Sequence, residues 1–117
     1  MTGLHAIGSV VTLVAAGMLV AGAGIAALVD RGHDATRPLA GLVLGAFVVQ
    51  SLLGLALLVG GTSPSETLHL LYAVGLVAVV PLARVFAAEA PDRARSGVLA
   101  VAGVVALALA WRLFGTG

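Results

Sequence analysis

The stretch Ser63-Pro64-Ser65-Glu66-Thr67-Leu68-His69-Leu70-Leu71-Tyr72, continued by an apolar run to Pro81 and Arg84, decides how this chain is read. Ser63 and Glu66 have the spacing of a capping box. Pro64 falls at the first helical position, where its missing N–H costs nothing. A helix is therefore expected to start here and to run from Glu66 to about Ala88, long enough to span a bilayer. His69 lies about one and a half turns into it, and Tyr72 follows on the same face, one turn deeper. An ionisable ring at that depth is uncommon, and the question it raises is what it faces.

Composition supports a membrane reading for the whole chain. Of 117 residues, 61% are hydrophobic and 9% charged, outside the range of soluble domains. There is no cysteine, which excludes disulfides, thiolate metal sites, covalent c-type haem attachment and cysteine nucleophiles. The six basic residues are all arginines and the formal net charge is +1, so bulk electrostatics offers nothing to nucleic acid.

Working outward from the third span, the expected fold is an all-α membrane protein, a single integral domain over residues 1–117. Its spans lie at about residues 4–29, 39–60, 66–88 and 97–114, joined by short loops. Such loops make an up-down-up-down four-helix bundle the default. The first run lacks a basic leader region and is too long for a signal peptide. Pro81 is expected to kink the third span. Gly41 and Gly45 form a Gly-x-x-x-Gly step, and Ala102, Ala106 and Ala110 a small-residue stripe. Both are common packing features of membrane helices. Arg31, Arg37, Arg93 and Arg95 all fall in loops 30–38 and 89–96, with Arg84 nearby. The positive-inside rule puts those loops in the cytoplasm and both termini outside, in what is expected to be a bacterial plasma membrane.

Depth then groups the polar residues. His5 opens the first span and His69 the third, and these spans run in the same direction. In a four-helix bundle they are diagonal neighbours, so two imidazoles at similar depth can face each other across the axis. This is the arrangement for bis-histidine ligation of a haem iron. Arg112, at the same end of the fourth span beside Trp111, can pair with a carboxylate such as a haem propionate. It can equally snorkel as an end anchor. Glu66 sits three residues before His69 and can orient it or a water. Gln50, mid-span, needs a polar partner. Tyr72 is a core aromatic near the same layer. His33, in a charged loop, is expected to be solvated.

These residues also carry a resemblance. His5-Ala-Ile-Gly opening one span, Gln50-Ser-Leu-Leu-Gly54 in the next, and His69-Leu-Leu-Tyr-Ala73 opening the third resemble one four-helix half of the haem A synthase family. It covers about residues 4 to 85. It implies a b-type haem held by His5 and His69 only; Arg112, Tyr72, Gln50 and Glu66 are candidates for its surroundings by their depth, not by the resemblance. The departures are specific. The family has two such halves, and its hydroxylating half resembles Glu-x-x-His-Arg, whereas Leu70 follows His69 here. The fourth helix here follows the matched three instead of preceding them. Haem hydroxylation is not carried over.

The resulting expectation is a small b-type cytochrome for electron transfer, or a haem-bearing subunit of a redox complex. It is not expected to be a stand-alone enzyme, because no catalytic acid–base pair is visible. Its partners would be the bilayer, a second copy or a larger membrane redox complex, and a quinone or another redox protein. The alternative is a cofactor-free four-helix scaffold or accessory subunit. A proton-coupled exporter needs a membrane-embedded carboxylate. Spans one, two and four carry none in their interiors.

Overall fold

The computed structural model describes residues 2–61 and 68–116. Side chains are described for residues 3, 6–61 and 69–113. The described chain forms four α-helices: α1 (Thr2–Val29), α2 (His33–Val59), α3 (Leu68–Phe86) and α4 (Asp92–Thr116). All four are long and apolar enough to cross a bilayer. The chain is thus an all-α, four-helix integral membrane protein. The expected capping box, Ser63 to Glu66, lies outside the described residues.

The helices form an antiparallel bundle 47 Å long and about 20 Å across, matching a bilayer of about 40–45 Å with its headgroups. The upper end is where α1 and α3 begin and α2 and α4 finish. The lower end holds the turns at 30–32 and 87–91. The most extensive packing is between α1 and α4, followed by α1 with α2 and α3 with α4. The α2–α3 seam is thin; among the described residues, α1 and α3 stand on one diagonal without touching, whereas α2 and α4 meet across the other.

Each helix buries one stripe. On α1 it is Thr12, Ala16, Leu19, Ala23 and Ala26, and on α2 Thr36, Ala40, Val43, Phe47 and Gln50. On α3 it is Leu76, Val80 and, just past the helix, Ala87, and on α4 Ser96, Leu99, Ala102, Ala106 and Ala110. The steps of three and four residues are those of one helix face. Large apolar side chains such as Leu42, Val74 and Val85 point outward instead, as lipid-facing positions do. Lipid supplies no hydrophobic drive for helix association, so close backbone approach must hold the helices together. At Gly103 the approach is to the backbone of another helix: a Cβ would lie 3.0 Å from the backbone nitrogen of Val20 and 2.9 Å from its Cγ2. The Ala102-Ala106-Ala110 stripe flanks this crossing. Gly41 serves a different end: a Cβ built on it would lie 3.5 Å from Arg84 Nη2.

Two boundaries differ from the sequence expectation. α2 begins at His33 instead of near Leu39, and α4 at Asp92 instead of Gly97. Hydropathy marks where hydrocarbon begins, not where a helix begins. Charged first turns continue into the headgroup region, with Asp34 and Asp92 favourably placed at the positive ends of their helices. The first connection thereby shrinks to three residues. It turns through Asp30 at φ 54° and Gly32 at φ 77°, left-handed conformations that Asp tolerates and Gly adopts freely. Pro38 and Pro81 both lie inside helices. At each, one backbone hydrogen bond is lost while the helix continues.

Candidate functional site

Contacts between helices fix the depth of each polar residue. Gly103 of α4 is level with Val20 of α1. Arg112, nine residues on, is then level with Val11. Arg112 also meets Tyr72 of α3, its Nη2 donating to the Tyr72 hydroxyl at 3.4 Å and its guanidinium 5.7 Å from the ring centroid. That is a long hydrogen bond combined with a cation–π contact. His69, three residues above Tyr72, is therefore level with Gly8. His5 is three residues higher still, or about 4.5 Å along the helix axis.

Gln50 joins this layer from α2. Its Nε2 donates to Ser9 Oγ at 3.1 Å, and its amide lies against Gly8, where any Cβ would collide with it. Glycine at position 8 is what lets the amide cross α1. Thr12 donates to Gly8 O at 2.8 Å, satisfying its own buried hydroxyl within α1. The structure thus puts Gln50 beside α1, and Tyr72 with Arg112 between α3 and α4. His69 is half-buried and heads the α3 stripe that continues through Tyr72, Leu76 and Val80. His5 is on α1, seven residues before Thr12, the helical repeat of that buried stripe. Its side chain and Glu66 lie outside the described residues.

Below this layer the core closes. Thr12, Phe47, Leu76 and Ala110 are all buried and form an apolar floor under it, apart from the internally bonded Thr12. From Thr12 up to Thr2 is ten residues, about 15 Å of helix, with buried packing beneath.

The lower end holds a second polar network that the sequence reading missed. His33 is not solvated: its side chain is only 11% exposed. Nδ1 lies 2.6 Å from Ser96 Oγ and Nε2 2.8 Å from Asp30 Oδ1. With the proton on Nε2, the ring donates to Asp30 and accepts from the Ser96 hydroxyl, so both ring nitrogens are satisfied. Thr36 donates to His33 O at 2.6 Å. This chain of serine, histidine and aspartate has the connectivity of a hydrolase relay, but Ser96 is 1% exposed, leaving no approach for a carbonyl substrate. It is a tie between the first turn and α4. Arg93 adds a second tie, its Nε donating to Ala27 O at 2.8 Å. Ala27 is in the last turn of α1, whose carbonyls have no partner within the helix and whose dipole favours a cation. Arg84 donates to Arg37 O at 3.0 Å and pins α3 to α2.

One signal in the sequence points to the His33 network. His33 follows Asp30 by three residues in a turn, and Ser96 opens the apolar run of α4. Antiparallel topology brings both to one end. Among the described residues, no group of three or more His, Cys, Asp or Glu side chains is arranged to hold a metal ion. No family model matches the chain, and no curated relative or solved structure matches it. The resemblance to haem A synthases rests on the quoted motifs alone.

Proposed function

We propose that the protein is a small integral-membrane b-type haem protein, with the haem held in the upper layer between α1 and α3. The observation that carries this reading is the shared depth of His5 and His69. They stand on diagonal helices that run in the same direction, within about 4.5 Å of one another along the axis, and His69 heads a buried stripe. The donor set fits the group. Two imidazoles suit a low-spin iron, and an arginine and a tyrosine hydroxyl at the same level suit propionates.

In this reading His5 and His69 ligate as neutral imidazoles. Gln50 anchors α2 to α1 beside the site, keeping the α1 stripe in register. Arg112, held over Tyr72, neutralises carboxylate charge near the upper surface. Glu66 orients His69. The apolar floor excludes water from below. Bound haem supplies one-electron redox chemistry, and the protein sets its potential through ligand type, burial and hydrogen bonding. The role is electron transfer, alone or as a subunit of a membrane redox complex, with a quinone or a redox protein as partner. It is not that of a stand-alone enzyme. By the positive-inside rule, the arginines of the lower turns support an orientation with that end in the cytoplasm of a bacterial cell and both termini outside.

The test is the absorption spectrum of protein purified in detergent from haem-supplemented cells, before and after dithionite. Sharp reduced α and β bands of a low-spin haem b are expected. Protein that stays colourless after haem titration refutes the reading and leaves the cofactor-free subunit in its place.

A further inference from the structure

A groove of about 610 Å³ runs between α3 and α4 in the lower half of the bundle, open on its outer side. Its walls are Val79, Ala83 and Phe86 on α3 and residues from Ala94 to Val105 on α4. All are apolar or small. Small side chains make the depth: nothing lies within 4 Å of a Cβ built on Gly97. An apolar groove facing lipid is unremarkable by itself, but its length and its lower end are informative. From Ala94 to Val105 is eleven residues, about 16 Å, half of a hydrocarbon core about 30 Å thick. The groove therefore runs from one headgroup boundary to the bilayer midplane. At the boundary, Ala94 is bracketed by Arg93 and Arg95. Arg95 stands three residues before Val98 and seven before Ala102, both groove residues, and so lies over the groove's mouth.

We infer that this groove holds one acyl chain of an anionic phospholipid, with its phosphate against Arg95. The headgroup-level cation and the one-leaflet length together select a phospholipid. Either feature alone would suit many occupants. Asp92 pairs with Arg95 and fixes its side chain over the helix end. That pair uses one of five guanidinium N–H groups, and the others remain able to meet a phosphate. Arg93 is turned away toward Ala27 of α1, and Arg84 toward Arg37 of α2, which leaves Arg95 as the contact. Neither residue belongs to the upper layer, so the inference stands apart from the haem reading.

The test is native mass spectrometry of delipidated protein in neutral detergent, titrated with phosphatidylglycerol or phosphatidylcholine of identical acyl chains. Wild type is expected to take up one phosphatidylglycerol with at least tenfold preference. Arg95→Gln should bring that preference near parity. Gly97→Leu, whose Cβ would meet nothing within 4 Å, puts its side chain into the groove and should abolish the one-to-one adduct. Circular dichroism of each variant confirms that the helices are intact. Equal binding of the two lipids by wild type overturns the inference. So does an adduct that survives Gly97→Leu, which would mark headgroup adsorption only, or a preference untouched by Arg95→Gln.

Discussion

Gly103→Ala should loosen the whole bundle, although it adds a single methyl group. Its Cβ would meet Val20 N at 3.0 Å and Val20 Cγ2 at 2.9 Å, against an optimal separation of about 3.5–4.0 Å for carbon atoms. Val20 Cγ2 can rotate away, but the backbone nitrogen cannot. α1 and α4 must therefore separate by roughly 0.5–1 Å, a gap that forfeits a quarter to a half of each contact's attraction at about 0.1–0.2 kcal/mol per atom pair. With on the order of 20 atom pairs along this crossing, the loss is about 1 kcal/mol. Overpacking strain brings the expected cost to about 1–3 kcal/mol. Gly17 is the control. It lies on the same helix as Val20, yet nothing is within 4 Å of its built Cβ. Gly17→Ala should therefore be neutral, or stabilising by up to about 1 kcal/mol through helix propensity. Reversible unfolding in mixed micelles, followed by circular dichroism, gives both values. Equal stability of the two variants would refute the claim that backbone approach at Gly103 holds α1 to α4.

Two further outcomes follow from the polar contacts. Ser96→Ala removes the hydroxyl that meets His33 Nδ1 and should cost about 1–2 kcal/mol for a part-buried group left unpaired. Adding His33→Ala should cost much less than in the wild type, a non-additivity that a double-mutant cycle reads directly; full additivity would show that the two side chains do not act together. Gly8→Ala drives the Gln50 amide off Ser9 and should cost about 0.6–1.7 kcal/mol, from the average to the maximum found for hydrogen bonds between membrane helices. Combining it with Gln50→Ala should relieve the clash, and an unrelieved double variant would place the strain elsewhere.

Much of this fold is legible in the sequence because a bilayer leaves few choices. Apolar runs of span length must be helical, since lipid offers no partner for backbone groups, and short connections make them antiparallel. The depth of His69 and Arg112 follows from the same reasoning, as does their placement with Tyr72 at one end. What the sequence hides is pairing between remote side chains. Charge near a turn reads as solvation, so His33 looks idle until Ser96, 63 residues away, is placed against it. Glycine patterns mislead in a similar way. The Gly41-x-x-x-Gly45 step suggests a helix crossing, whereas Gly41 underlies Arg84 and Gly45 has nothing within 4 Å of its built Cβ. The glycine that meets another helix's backbone is Gly103, set within a stripe of alanines. Helix starts are hidden too, because charged residues beyond the hydrocarbon boundary carry no hydropathy signal although they extend α2 and α4.

The central claim is that His5 and His69 hold a haem between α1 and α3. The most direct measurement is the dithionite-reduced spectrum of His5→Ala and of His69→Ala beside wild type, each protein first shown to be folded and monodisperse. The account predicts a low-spin haem b in wild type. Each variant should lose haem or become high-spin, and added imidazole should restore low-spin bands where haem is retained. A variant that keeps the wild-type low-spin spectrum without added imidazole would remove its histidine from the site and contradict the account.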